Sequence, residues 1–318
     1  MHLVLAFPGV NDGFFNTSFV LQLLANGFAN GAIYALMALT VVIIYRTTGH
    51  LNFAQGEMAT MGCFLVFAAS VERGIPYWLA IPGVMVISLL FGAIIVRGLV
   101  RPIERRSGLG VVILTLGLFL ILNAFTAAIW GTESVTATKP FPSSPGDQFV
   151  ILDGPPRFFV RYSTIGIWLV LGLVVLALWA LLQRTKLGLA YRAVASNRES
   201  SLLVGIPVGR MLMLGWGLSA AIGTLAAVLT AQKAGTMDFN LMATVLLYGF
   251  AAAALGGFDS VKGAVVGGVI VGLAEALIPQ FFSFIGTELS LVMALFVILI
   301  VLLVRPQGLF GTKRVERV

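Results

Sequence analysis

Charge is scarce in this 318-residue chain: 10% of its residues are Asp, Glu, Lys or Arg, against roughly a quarter in soluble domains. That scarcity, beside 59% hydrophobic residues, excludes a soluble globular protein and points to an integral membrane protein. Cysteine occurs once, as Cys63 in an apolar run beside Met61 and Phe64, so an internal disulfide is excluded and a small buried residue is expected. The two histidines, His2 and His50, have no partner at metal-ligand spacing, and no metal site is expected. No GxxxxGK[ST] or HExxH sequence occurs, nor a Ser, His and Asp grouping on one face of the membrane. The chain therefore lacks the usual means of hydrolysing nucleotide. An intramembrane enzyme has no support beyond His50 and Glu57, seven residues apart across a glycine-bearing break. No Lys or Arg precedes Arg46, so a cleavable signal peptide is not expected and the first apolar run stays in the mature protein.

What is present is a series of apolar runs divided by short polar links. A spanning helix needs about 20 apolar residues, which gives the length room for about eight to ten spans. The expected fold is an all-α polytopic bundle forming one transmembrane domain over residues 1–318. The runs are Phe19–Ile44, Met58–Val71, Trp78–Val96, Leu109–Trp130, Ile165–Leu182, Met211–Ala231, Leu241–Leu255, Ala264–Phe284 and Leu289–Val304. The net charge of +7 collects at the ends of these runs, where topology accounts for it without nucleic acid. Arg97, Arg101, Arg105 and Arg106 mark one cytoplasmic loop, and the basic residues after Val304 place the C-terminus inside. If each run crosses once, the N-terminus lies outside.

Residues 131–162 form the longest insertion, with mixed charges and five prolines. They read as an extracytoplasmic loop in which Phe149–Leu152 and Phe158–Tyr162 pair as a small hairpin. Trp130 fits an aromatic belt at the head of this loop.

The other long polar stretch, Lys186–Arg210 within a loop over 184–210, carries Lys186, Arg192, Arg198 and Arg210 against Glu199 and is read as cytoplasmic. Its first part is amphipathic, with Leu187, Tyr191, Val194 and Leu202 or Leu203 on one side, ended by Gly205-Ile206-Pro207.

Two further features mark candidate sites. TTGHLNFAQGE, Thr47–Glu57, sets polar residues between two apolar runs. It reads as a broken or re-entrant segment, which survives at membrane depth only inside protein or along a water-filled cavity. Asn52, Gln55 and Glu57 are thus candidates to line a translocation path. Glu275 lies in an apolar run, where a carboxylate is costly unless it faces the bundle interior, a cavity or the interface. The pairs Gly27/Gly31, Gly263/Gly267 and Gly268/Gly272 read as close helix packing. The Leu241–Leu255 run is short for a straight span, and its LYGFAAAALGG faintly echoes IYALMAL before the first break, as paired broken segments do in transporters.

Four blocks carry a family resemblance: GAIYALMALTVVIIYRTTGHLNFAQGE (Gly31–Glu57), GLAYRAVASNRESSLLVGI (Gly188–Ile206), LGGFDSVKGAVVGGVIVGLAEAL (Leu255–Leu277) and RPQGLFG (Arg305–Gly311). In this order they resemble the permease subunits of branched-chain amino-acid ABC transporters. Gln55 stands where the family often has histidine, and Ser201 where alanine is usual. The resemblance implies a nonenzymatic permease in the bacterial inner membrane that moves branched-chain or related amino acids inward. It implies four partners besides the lipid bilayer: a second, similar permease, two cytoplasmic ATPases and a periplasmic binding protein. No cofactor is implied. The 184–210 loop becomes the coupling helix that engages the ATPases, with Arg192, Ala193, Asn197 and Gly205 as its coupling residues. The same architecture serving urea, short amides or another amino acid stays open. A self-sufficient secondary transporter or channel is weaker, because Glu275 and Glu57 have no evident basic partner in the sequence.

Overall fold

The computed structural model describes residues 16–104, 107–137, 139–153, 156–281, 290–305 and 307–311. The two chain ends, Arg105 and Arg106, and the start of the Pro155-Pro156 turn lie outside the described residues.

Helix α1 (Thr17–Thr48) begins where the Asn16 side chain accepts from Ser18 N at 3.0 Å. It ends at Gly49, whose φ of 72° lets its N–H reach Tyr45 O at 2.7 Å. Apolar around its whole circumference, α1 is buried for most of its length, as expected of a central helix. Around it pack α9 (Val208–Ala234), α10 (Ala243–Gly256) and α11 (Val261–Phe281), with α10 and α11 also packed on each other.

The glycine pairs explain how these helices come so close. A Cβ on Gly31 would stand 2.8 Å from the Cα of Val269, and one on Gly272 would overlap the backbone of Gly31. On the other side of α11, Gly263 and Gly267 meet the backbone of α10 at Gly256 and Ala252. Without a hydrophobic drive between helices in lipid, backbone contact of this kind supplies the dispersion energy that holds the pair.

Outside this core stand α3 (Tyr77–Ile95), α5 (Gly108–Trp130) and α6 (Tyr162–Arg184), each with one broadly exposed apolar face. Helix α3 runs on through a π turn, Val96–Val100, into the short α4 (Arg101–Glu104). With α12 (Ser290–Val304) the elements form a helical membrane bundle, and six helices among the described residues are long and apolar enough to cross a bilayer. Exposed leucines such as Leu120 and Leu169 fit a lipid surround, because apolar faces there carry no hydration penalty.

Two elements are broken. After α1 the chain is non-helical through Gly49–Ala54, and α2 (Gln55–Phe67) starts inside the bundle, at the level of Ser219 midway along α9. After α9 the chain turns through Asp238–Met242 before α10, whose start lies against α2: a Cβ on Gly56 would be 3.4 Å from Met242 O. The two halves of the sequence echo fall in unlike elements, IYALMAL inside the long α1 and LYGFAAAALGG in the short α10 and its C-cap.

Strands β2 (Gln148–Leu152) and β3 (Phe158–Arg161) form the expected antiparallel hairpin, with a register shift between Val150 and Leu152. A second pairing was not legible in the sequence: β1 (Val135–Thr136) pairs with β4 (Thr236–Met237), stitching the 131–162 loop to the α9–α10 link. Trp130 is stacked on Phe64 at 5.1 Å, and Cys63 is buried against Met237.

Candidate functional site

The 184–210 stretch is two helices. Helix α7 (Lys186–Ser196) starts at Thr185, whose hydroxyl accepts from Gly188 N at 3.0 Å. It stops at Asn197, where the chain turns and Asn197 Oδ1 accepts from Ser200 N at 2.9 Å to start α8 (Arg198–Leu203). Asn197 therefore ends one helix and caps the next. Ala193 lies on α7, and its carbonyl accepts from Asn197 N at 3.0 Å. Gly205 closes the unit with a φ of 79°, in the left-handed region.

Two ties fasten this unit to the bundle. The Tyr191 hydroxyl, fully buried, donates to Ile43 O of α1 at 2.5 Å, and burial pushes its pKa above the usual phenol value. Arg198 grips Glu104 of α4 with both guanidinium nitrogens, at 2.5 and 2.9 Å. The Glu104 side chain is 8% exposed and that of Arg198 39%. The hydrogen bonds that Arg198 donates to Glu104 raise its pKa further, so the guanidinium stays charged. The apolar face departs from the sequence reading: Tyr191 and Val194 point inward, but Leu187 does not, and Leu202, Leu203 and Val204 are 58%, 89% and 74% exposed. For Leu202 and Leu203 the break at Asn197 is the reason, since α8 does not continue the helical phase of α7. Arg192 folds back along the bundle, its Nη1 donating to Gln183 Oε1 at 2.9 Å.

The candidate path residues fall into two groups. Asn52 and Gln55 meet at 3.3 Å, and Gln55 Nε2 donates to Ser219 O at 2.9 Å. Both are enclosed, so they clamp the broken segment onto α9. Glu57, in the first turn of α2, is also buried; Asn123 Nδ2 donates to its Oε2 at 3.3 Å and to Asn240 Oδ1 at 3.0 Å. Its Oε1 has no hydrogen-bond partner, a costly state away from solvent. Asn123 and Asn240 escaped the sequence reading because single amides in different runs carry no spacing signal.

Glu275 lies apart from these residues. Asn30 Nδ2 and the Tyr34 hydroxyl donate to its Oε2 at 2.8 and 2.7 Å, and Tyr34 stacks on Tyr248 at 4.5 Å. Lys233 donates to Asn30 Oδ1, so a cation stands one amide away from Glu275. This partner lies far along the chain, where sequence spacing gives no hint of it. Gln55→Ala would leave the Asn52 amide with only the Met58 sulfur as acceptor and open a void beside Gly223. A loss of about 1–3 kcal/mol is expected, read as a lower unfolding midpoint in detergent.

The family model described as branched-chain amino acid transport system / permease component matches residues 23–302. The chain belongs to this permease family. Among curated relatives, LivH, the high-affinity branched-chain amino acid transport system permease protein of Escherichia coli K12, is 32% identical over 94% of this chain and 98% of that protein. BraD of Pseudomonas aeruginosa is 30% identical over the same shares. The probable branched-chain amino acid transport permease LivH of Methanocaldococcus jannaschii is 29% identical over 89% and 90%. Among solved structures, PsaBC from Streptococcus pneumoniae in complex with Fab aligns at a TM-score of 0.47 with 14% identity, over 93% of this permease and 95% of that chain. That likeness is too loose to carry a conclusion.

Proposed function

We propose that this permease is the membrane subunit of an ABC importer in the bacterial inner membrane, carrying branched-chain or related amino acids from periplasm to cytoplasm. A second, similar permease completes the path, two cytoplasmic ATPases supply the energy, and a periplasmic binding protein delivers the cargo. The 131–162 loop faces that protein, and the 184–210 loop and the C-terminus face the cytoplasm.

The observation that carries this reading is the α7–α8 unit, held rigidly on its inner side and apolar on its outer side. Leu202, Leu203 and Val204 are the contact surface for an ATPase. Asn197 and Gly205 shape that surface, Ala193 holds the turn, and Arg192 braces α7 against α6. Closure of the ATPase pair on ATP would push α8. Tyr191 passes the push to α1, and Arg198 passes it to the α3–α5 corner through Glu104. Such a push reverses the access of the path only if the two nucleotide states bias the two bundle states differently.

Along the path, Glu57 with Asn123 and Asn240, and Glu275 with Lys233, offer both charge signs to a zwitterion. Asn52 and Gln55 hold the broken segment at its edge. The rival reading of a self-sufficient transporter gains a cation from Lys233, and ion-coupled flux by this chain alone would establish it.

The test is a charge reversal in the complete complex in proteoliposomes. Arg198→Glu is expected to reduce stimulation of ATP hydrolysis by loaded binding protein about tenfold, because two carboxylates then oppose each other with one largely buried. Adding Glu104→Arg is expected to restore at least part of it. Unchanged stimulation in the single variant removes the coupling route through Glu104. Calorimetric titration of the binding protein with leucine, isoleucine, valine, urea and short amides decides the cargo.

A further inference from the structure

Helices α6 and α11 both lean on α1, and a groove of about 600 Å³ opens between them. Gly172, Val175, Leu176, Trp179 and Leu182 line one wall at helical spacing, and Val261, Val265 and Val266 the other. At one end stand Arg46, Arg192 and Lys262, and no carboxylate lines the groove among the described residues. The Nε of Arg192 is buried there without a hydrogen-bond partner, and Arg184 adds a cation at the same rim, 5.1 Å over the Trp179 ring.

This shape is asymmetric in a telling way. From Gln183 to Gly172 the α6 wall runs about 16 Å at 1.5 Å per residue, about half the ~30 Å hydrocarbon core. A charged head end with an apolar trough one leaflet deep matches a phospholipid, whereas a soluble anion has no use for the trough. The cations favour an anionic headgroup, as basic pockets between spanning helices do on the cytoplasmic side.

We infer that this groove is a binding site for one anionic phospholipid, its phosphate held by Arg46, Arg192 and Lys262 and an acyl chain lying along Gly172–Leu182. The site depends on α6 and α11 crossing the bilayer and not on which ATPase or cargo the importer uses. Lipid bound there would touch α7 through Arg192 and α1 through Arg46, the two elements joined by Tyr191.

The assembled complex in nanodiscs of equal phosphatidylglycerol and phosphatidylcholine, released for native mass spectrometry, tests the assignment. Wild type is expected to retain phosphatidylglycerol in excess on the order of tenfold. Arg46→Gln with Lys262→Gln is expected to bring the two lipids to parity. Gly172→Phe is expected to lower retention of lipid with the charges intact, because a Cβ at Gly172 meets nothing within 4 Å and the ring has the trough to fill. Lys186→Gln, at the same end but outside the groove, is expected to change nothing. Equal retention of the two lipids by wild type overturns the proposal, and so does an unchanged preference in the double variant. If soluble glycerol phosphate displaces the retained lipid while Gly172→Phe has no effect, the cations serve a soluble anion and the lipid assignment falls. A wild-type complex that retains no lipid means that the second permease covers the groove, and this too overturns it.

Discussion

Gly205→Glu is expected to leave membrane insertion and subunit assembly intact and to abolish substrate-stimulated ATP hydrolysis by the reconstituted importer. Gly205 has a φ of 79°, and a Cβ there would meet nothing within 4 Å. The penalty is therefore one of backbone conformation, about 1–2 kcal/mol for a residue with a side chain, and not a clash with the bundle. That is too little to unfold a membrane bundle, but it acts on a turn that fixes where Leu202, Leu203 and Val204 point. The new carboxylate also sits at the edge of that apolar surface, where burying it against a partner is costly. Gly205→Asn separates the two causes, since asparagine tolerates the left-handed region and adds no charge. It is expected to keep most of the stimulation. Full stimulation in Gly205→Glu would falsify the assignment of this turn to coupling.

The helices and their ends were legible because membrane spans are written in long apolar runs and their ends in caps. The expected Met211–Ala231 run lies inside Val208–Ala234, and Leu109–Trp130 inside Gly108–Trp130. The break after Arg46 was legible for a related reason: polar residues between two apolar runs need enclosure, and Asn52, Gln55 and Glu57 are buried.

What the sequence hid were contacts between distant positions. Nothing in the spacing of Glu104 and Arg198, or of Lys233 and Glu275, distinguishes them from charges facing water. The outward turn of Leu202 and Leu203 was hidden by Asn197, since an asparagine within a helical pattern reads equally as an interior residue or as a cap.

Glycines were legible as packing residues but not as individuals, and this yields a second large effect. Gly272→Leu is expected to lower the amount of folded permease in the membrane at least about tenfold, a loss above ~1.4 kcal/mol, as overpacking against backbone demands. A Cβ at Gly272 would fall on the N and Cα of Gly31 and against Gly27 O, atoms that cannot swing aside as a side-chain end would. Helices α1 and α11 would have to separate, which forfeits dispersion contacts along their whole length and disturbs the seat of Glu275 on Asn30 and Tyr34. Gly117→Leu is the matched control: it adds the same side chain to an apolar helix, α5, at a position where a Cβ meets nothing within 4 Å. It is expected to be neutral within about 0.5 kcal/mol. Quantifying monodisperse protein after detergent extraction compares the two. Equal yields would mean that the α1–α11 seam relaxes around a leucine and that its glycines are not what sets the helix separation.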